Sequence, residues 1–269
     1  MCIRDSGKVN SLQGLEFASK LERMTLDDSN ISDIAPLKNL ESIKELTITN
    51  SKLRSLADIG YQPNLQRLDV EGNQITSLAP LFGWTELSTL KVNNNRVTSL
   101  EGLPLENEEL QKLYAANNRI REVAPLKQHR YLKEVDLSNN FIEDVAPLNI
   151  RGIQTINLRD NYVKDFTPLE PLMNNRWAPL KKLEVDGNYV SDPQHFDEDL
   201  RSVVVGIQDG KIRARANDES RPAPGFAPEA SPVQGETTVK AGEKISLHVV
   251  VTGDPAPVSY THLTLPTSD

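Results

Sequence analysis

The chain has 269 residues, of which 38% are hydrophobic and 25% are charged, so it can bury a sizeable core and form more than one domain. Its formal net charge of -8 argues against a nucleic-acid or anionic-membrane partner, because both require a basic surface. The sequence contains no apolar run long enough to span a membrane. The composition is that of a globular protein and leaves its function open.

The two ends of the chain are related through their coding DNA. Residues 1–6 read Met-Cys-Ile-Arg-Asp-Ser, and the reverse complement of a DNA encoding them, read one frame over, encodes Val-Ser-Tyr-Thr-His, the sequence of residues 258–262. Inverted copies of this kind resemble a transposase adaptor used in sequencing libraries. We therefore predict that residues 1–6 and 258–269 are translated adaptor and that the natural protein is longer. Cys2 is the only cysteine, so we expect no disulfide and no cysteine metal site.

A repeat fills most of the chain between these ends. The pattern Leu-Gln-Arg-Leu-Asp-Val-Glu-Gly-Asn-Gln-Ile at residues 65–75 recurs in related form at residues 21–31, 43–53, 87–97, 110–120, 132–142, 153–163 and 180–190. Self-similarity at this period is typical of leucine-rich repeats. We predict about eight repeats over residues 7–192, the first one partial and without its strand or N-terminal cap.

Each position of the repeat has a physical reason. Leu68 and Val70 alternate with polar residues, the pattern of a short strand with one buried face, and stacked copies predict a parallel sheet. An asparagine amide that carries donors and an acceptor can satisfy backbone groups where the chain leaves the strand. We predict a structural asparagine ladder at Asn73, Asn95, Asn118, Asn140, Asn161 and Asn188, with Ser29 and Ser51 in the same position of two earlier copies.

A proline motif follows each strand. Ile34-Ala35-Pro36-Leu37 is echoed at residues 78–81, 123–126, 145–148 and 166–169. Proline at the first helical position has a preset φ angle and needs no amide partner, so each copy predicts a short convex-side helix or 3₁₀ turn. Asp33, Asp144 and Asp165 precede three of these motifs and are expected to help cap the turns. The predicted fold class is an α/β leucine-rich-repeat solenoid, with its parallel β-sheet on the concave face.

The repeat length, the Asn-x-Ile sequence and the following Asp-Ile-Ala-Pro-Leu together resemble the internalin-type leucine-rich repeats of bacterial surface proteins. The resemblance covers roughly residues 9–192. It implies a secreted or cell-wall-attached bacterial protein of cell adhesion, whose concave sheet binds a partner. The helical N-terminal cap of that family is missing here, and nearly all the concave-face aromatics expected of it are absent.

The chain changes character after the repeats. Residues 193–216 include a hairpin signature at Asp209-Gly210 and are predicted to cap the last coil. Residues 217–232 are rich in Pro, Ala, Glu and Ser, as in a linker. Residues 233–257 resemble the opening strands of an immunoglobulin-like module, with Val249 where that family often has a cysteine. We predict a truncated, incomplete all-β piece.

No catalytic or metal-binding motif emerges. His129, His195 and His248 lie in unrelated segments without a second His or Cys nearby, and the acidic run at residues 195–199 lacks the spacing of a calcium loop. P-loop, dinucleotide-binding and nucleophile-elbow sequences are absent from the chain. We therefore expect no enzyme activity, no cofactor and no metal.

The strand residues between the buried leucines are predicted to line the concave face and bind the partner. Tyr114 is the one aromatic at the middle strand position, where an exposed ring is a candidate anchor. The partner is expected to be a protein or glycan, with the chain a monomer. A targeting domain of a larger extracellular enzyme and an intracellular regulatory scaffold remain alternatives. The predicted ligand-binding residues are Arg67, Asp69, Glu71, Lys91, Asn93, Lys112, Tyr114, Glu134, Asp136, Asn157 and Arg159.

Overall fold

The computed structural model describes residues 9–104, 109–175, 178–189 and 203–205, and the backbone of short strands at 2–5, 207–208, 211–212, 229–230, 249–252 and 259–260. The chain divides into two compact units, Met1–Ala216 and Asn217–Asp269.

The first unit is a stack of coils that each contribute one strand to a parallel sheet. The ten strands lie in the sheet in sequence order, so each strand pairs with the strands of the preceding and following coils. This arrangement confirms the predicted leucine-rich-repeat solenoid. The strands are β1 Cys2–Asp5, β2 Arg23–Asp27, β3 Glu45–Thr49, β4 Arg67–Asp69, β5 Thr89–Lys91, β6 Lys112–Tyr114, β7 Glu134–Asp136, β8 Thr155–Asn157, β9 Lys182–Glu184 and β10 Val204–Val205.

The strand register aligns equivalent repeat positions on neighbouring coils. Leu68 pairs with Leu46 on one side and with Leu90 on the other, and all three side chains are buried. Because side chains alternate along a strand, the residues between them face away from this core. Burial of each such aliphatic side chain stabilises the stack by about 1.5–3 kcal/mol. Trp84 is also buried in the core.

Short 3₁₀ turns return the chain on the opposite side of each coil. Five of them contain the predicted proline in their first two residues. Asp33 Oδ1 accepts a hydrogen bond from the Ala35 N–H at 2.9 Å, which confirms its predicted capping role, and Asp144 and Asp165 do the same in their coils. The turns are Leu15–Phe17, Ala35–Leu37, Ala57–Ile59, Ala79–Leu81, Ala124–Gln128, Ala146–Leu148 and Thr167–Leu169. An α-helical turn, Glu170–Met173, follows the last of them within the long insertion.

A ladder of buried asparagines links each coil to the one before it. Asn140 Nδ2 donates to the Ala115 carbonyl of the preceding coil at 2.9 Å and to the Leu137 carbonyl of its own coil at 3.0 Å. Its Oδ1 accepts from the Ile120 N–H at 3.0 Å. The same three bonds recur at Asn73, Asn95, Asn118, Asn161 and Asn188.

The residue before each ladder position has a left-handed backbone. Its φ lies between +49° and +71° in every coil from the second to the ninth. Asn, Asp and Gly tolerate this conformation best, which explains their use there. The positions are Asp28, Asn50, Gly72, Asn94, Asn117, Asn139, Asp160 and Gly187.

One expectation about the start of the repeat region needs correction. Cys2–Asp5 pairs in parallel with Arg23–Leu26, so the first coil has a strand where none was expected. Parallel pairing uses backbone groups, which any short extended segment at the sheet edge can supply. The predicted cap also adds a parallel strand, because Val204–Val205 pairs with β9. The predicted hairpin is present, with β11 Ile207–Gln208 antiparallel to β12 Lys211–Ile212.

The described strands of the second unit form a small antiparallel sheet. β14 Val249–Thr252 pairs with β13 Glu229–Ala230 and with β15 Ser259–Tyr260. β13 falls within residues 217–232, predicted as linker, and β15 falls within residues 258–269, predicted as adaptor. These three short strands do not test the immunoglobulin-like assignment of residues 233–257, which stays a prediction.

In the fifth coil the repeat position that holds proline in several other coils is Gly102, whose backbone closely approaches the preceding coil. The φ of Gly102 is +92°, and a Cβ atom there would lie 2.7 Å from the carbonyl carbon of Leu78 and closer still to the backbone of Ala79. Gly83 has a similar φ of +87°, yet a Cβ there would meet nothing within 4 Å. A side chain at Gly83 would therefore meet only backbone strain, whereas a side chain at Gly102 would meet the same strain and a steric overlap in addition.

We predict that Gly83→Ala lowers the free energy of unfolding by about 1–2 kcal/mol, the cost of a left-handed L-residue. Gly102→Ala adds overlap with a neighbouring coil and should cost about 1–3 kcal/mol more. Urea unfolding of both variants measures the difference. Equal destabilisation by the two substitutions would contradict the close packing at Gly102.

Candidate functional site

The sheet places the predicted binding residues in rows on its solvent-facing side. The register aligns Arg67, Thr89, Lys112, Glu134 and Thr155 in a first row, and Asp69, Lys91, Tyr114, Asp136 and Asn157 in a second. Glu71, Asn93 and Arg159 follow their strands by two residues and continue the alternation. All eleven predicted residues therefore lie on one continuous face, which we call the concave face.

The charged residues of the concave face are paired between neighbouring coils. Lys91 Nζ lies 3.1 Å from Asp69 Oδ2, and Lys112 Nζ lies 3.3 Å from Glu134 Oε2. Arg67 contacts Glu45 at 3.5 Å. The remaining concave-face cations of strands β2 to β9 and their continuations are also paired: Arg23 with Glu45, Arg159 with Glu184 and Asp186, and Lys182 with Glu184 of its own strand. The charges of the face are thus largely balanced by one another, while the carboxylates of Glu71 and Asp136 are hydrogen-bonded to neutral side chains.

The polar residues at the strand ends are engaged by local hydrogen bonds. Asp136 Oδ1 accepts from the Ser138 N–H at 2.9 Å and from the Ser138 hydroxyl at 2.7 Å. Asn93 Oδ1 accepts from the Ala116 N–H of the next coil at 2.8 Å, and its amide donates to Glu71 at 3.3 Å. These bonds fix the direction of each side chain, so the surface is organised before any partner binds.

Tyr114 differs from the exposed anchor that its position predicted, because its side chain is half-buried. Burial raises the pKa of Tyr114 to about 12, and the hydrogen bond to Glu134 and the negative charges of Glu134 and Asp136 act in the same direction. The phenol is therefore neutral at physiological pH, and the hydrogen bond with Glu134 favours this neutral form. The ring lies in the register between Lys91 and Asp136.

The described residues do not suggest catalysis. Within them, no three His, Cys, Asp or Glu side chains come together to hold a metal ion. His129 is buried, its two ring nitrogens have no hydrogen-bond partner in that part of the chain, and burial lowers its pKa. The acidic run at 195–199 lies outside the described residues. No helix in the described part of the chain is long and apolar enough to cross a membrane.

A second amide row borders the concave face, and the sequence analysis missed it. Asn117 Nδ2 donates to Asn94 Oδ1 at 2.9 Å, Asn139 Nδ2 donates to Asn117 Oδ1, and Asn94 Nδ2 donates to Glu71 Oε1 at 3.0 Å. The sequence carries a signal for this row, because each of these asparagines directly precedes a ladder asparagine.

A column of stacked rings, which was also not predicted, lies on the flank of the solenoid. Phe141 stacks on Tyr162 with ring centroids 5.7 Å apart, and Tyr162 stacks on Tyr189 at 5.4 Å, with the planes within 9° of parallel. Each ring belongs to the residue that directly follows a ladder asparagine. That shared position is the signal that predicts the column.

We predict that replacing Glu134 by Gln lowers the pKa of Tyr114, because it removes the neighbouring negative charge while the ring stays partly buried. Titration by NMR of the Tyr114 side chain should give a value near 12 in the parent and a lower one in Glu134→Gln. Glu143→Gln, in a different column of the coil, serves as the control and should leave the titration unchanged. A Tyr114 that titrates near 10 in the parent would contradict the described environment.

Comparison with known proteins agrees with this geometry. A sequence family described as "Leucine Rich repeats (2 copies)" matches residues 63–105 and 108–150. The crystal structure of an internalin (inlF) from Listeria monocytogenes is similar with a TM-score of 0.63 and 24% identity, over 78% of this chain and 66% of that one. That of an internalin C2 from the same species is similar with a TM-score of 0.60 and 22% identity, over 67% of this chain and 78% of that one.

The chain thus spans just under two thirds of the inlF protein. At this level of identity the similarity establishes the fold. The protein contains leucine-rich repeats and has the internalin-like solenoid fold, with its parallel sheet open at both edges.

Proposed function

We propose that this solenoid is a non-catalytic binding module that holds a protein partner against its concave face, in a bacterial protein that is secreted or attached to the cell wall. The observation that carries the proposal is the pre-ordered polar face. Its side chains are held by bonds between coils, so binding costs little side-chain ordering entropy. The internalin-like fold supports the same reading.

The paired charges suggest how a partner is recognised. Exposed ion pairs such as Lys91 with Asp69 contribute only about 0–1 kcal/mol each, so a partner can insert its own charged groups among them at low cost. Alternating charge along the face favours a partner with a matching alternation and disfavours one of uniform sign. Charge therefore provides orientation and specificity in this account.

Tyr114 is the proposed energetic centre of the interface. Its ring is half-buried among Lys91, Glu134 and Asp136, so further burial by a partner removes the remaining apolar surface from water. Tyrosine is enriched among the residues that dominate binding energy, particularly near the centre of an interface. The surrounding ion pairs would exclude water from the contact.

The test uses two benzophenone side chains for photo-cross-linking, one at Asn157 on the concave face and one at Lys127 on a 3₁₀ turn. Incubation with proteins displayed on candidate target cells should give a cross-linked partner from the Asn157 position. The Lys127 position is exposed and carries no ion pair among the described residues, so it is the matched control. A partner cross-linked only from Lys127 would show that the interface lies on the side of the 3₁₀ turns, and it would contradict the concave-face proposal.

With that partner purified, Tyr114→Ala combined with Lys91→Glu should weaken binding at least tenfold, about 1.4 kcal/mol, without loss of the folded state. Calorimetric titration measures the affinity, and thermal unfolding checks the fold. Unchanged affinity of the double variant would refute the concave-face proposal.

A further inference from the structure

The flank of the solenoid carries a second, chemically different surface. In each coil, the residue after the ladder position donates its backbone N–H to the preceding coil, as Arg96 does to Ile75 and Arg119 does to Val97, both at 2.8 Å. This bond recurs from coil to coil, so these residues form one continuous column that does not face the concave side. In chain order from the third coil to the ninth, the column reads Lys52, Gln74, Arg96, Arg119, Phe141, Tyr162 and Tyr189.

No acidic residue belongs to this column, although the chain as a whole has a net charge of -8. Its cations are exposed, and two further exposed arginines, Arg54 and Arg121, lie two residues beyond it in their coils. We call Lys52, Arg54, Arg96, Arg119 and Arg121 the basic flank. Asp144 and Asp165, which lie near the flank, are already engaged in capping the 3₁₀ turns, so the exposed Glu143 is the acid at the offset of Arg54 and Arg121.

The cations of the basic flank contrast with those of the concave face. Every concave-face cation of strands β2 to β9 and of the residues that follow them has a carboxylate within 4.0 Å. In the same described part of the chain, Lys52, Arg54, Arg96 and Arg119 have no ion pair and no side-chain hydrogen bond. Their charges are therefore available to an outside partner, whereas the concave charges are largely neutralised within the protein.

The aromatic column continues the basic flank toward the C-terminal coils. The Arg121 guanidinium lies 5.6 Å from the centroid of the Phe141 ring, so the cationic and aromatic parts are joined by a cation–π contact. The stacked rings cover one another's faces, and Tyr162 in the middle of the stack is buried. Phe141 is partly exposed and Tyr189 at the end of the stack is 46% exposed, so these two rings are the ones that can pack against apolar side chains of a partner.

We propose that the basic flank and the aromatic column together form a second docking site, for an extended polypeptide segment with acidic residues at one end and apolar residues at the other. Guanidinium groups match carboxylates through paired hydrogen bonds, which favours Asp and Glu as the charged groups. From Arg96 to Tyr189 the site crosses five coils, roughly 19 Å at the spacing of paired strands, which about six residues of extended chain would span. An anionic polysaccharide is less suited, because sugars stack on aromatic faces and the faces of Phe141 and Tyr162 are covered by Arg121 and by the neighbouring rings.

The probe for this site is the fluorescein-labelled peptide Asp-Glu-Glu-Phe-Leu-Leu. Fluorescence anisotropy should detect its binding to the parent chain at low ionic strength, with at least tenfold weaker binding on raising NaCl from ~0.05 M to ~0.3 M. The peptide Asn-Gln-Gln-Phe-Leu-Leu, of the same shape without charge, should bind at least tenfold more weakly. Equal binding of the two peptides, or no binding of either, would overturn the proposal.

Charge reversal locates the site. Arg96→Glu with Arg119→Glu should weaken binding of the acidic peptide at least tenfold, whereas Lys127→Glu with Arg130→Glu, which makes the same change in net charge at exposed positions away from the flank, should weaken it less than about twofold. Tyr189→Ala should reduce binding of the acidic peptide by several-fold and should not alter its salt dependence. Equal loss in both charge-reversal variants would show attraction to net charge alone and contradict the proposed site.

A binding measurement with a polysaccharide distinguishes a polypeptide partner from a polysaccharide partner. Hyaluronate, which carries carboxylates on sugar rings, should bind more weakly than the acidic peptide. Tighter binding of hyaluronate that depends on Arg96 and Arg119 would overturn the polypeptide assignment. None of these outcomes depends on Tyr114 or Lys91, so they are independent of the concave-face proposal.

Discussion

The hydrogen-bonded coupling of each coil to its predecessor is the constraint on which the rest of this structure depends. A ladder amide such as that of Asn118 joins carbonyls of two coils and receives an N–H from the earlier one. Without it, buried backbone groups at the strand exit would lack partners, at a cost of about 1–3 kcal/mol each. The ladder also requires a left-handed residue before each of its members, and the two requirements together set the geometry of every turn.

Because the coils stack in a fixed register, residues at the same repeat position lie side by side on one surface. Residues that share a repeat position line up about 4.8 Å apart, so a preference at one position becomes a row or column several coils long. Charges of opposite sign at the strand positions neutralise one another, as Lys112 and Glu134 do. One turn further along, cations and aromatic rings follow each other without acids. The same scaffold therefore offers a largely charge-balanced concave face and a basic flank, which suit different partners.

Repeat periodicity was sufficient to predict the solenoid, the buried strand residues and the proline turns, because each follows from local pattern and burial. It was insufficient where a single residue departs from the pattern. The left-handed Gly102 lies so close to the backbone of Ala79 that a Cβ atom there would overlap it, which only the stacked coils reveal. The half-burial of Tyr114 depends on the side chains of adjacent coils, including Glu134, and not on its own strand. The aromatic column could have been predicted, since Phe141, Tyr162 and Tyr189 all follow ladder residues.

The ladder is tested most directly by truncating one of its central amides and a matched amide outside it. Asn140→Ala should lower the free energy of unfolding in urea by about 1–3 kcal/mol, because the buried Ile120 N–H loses its partner, while the Ala115 and Leu137 carbonyls each lose one of two amide donors. Gln74→Ala removes an amide that makes no side-chain hydrogen bond among the described residues, and should change stability by less than about 0.5 kcal/mol. Equal unfolding midpoints for the parent, Asn140→Ala and Gln74→Ala would contradict the account.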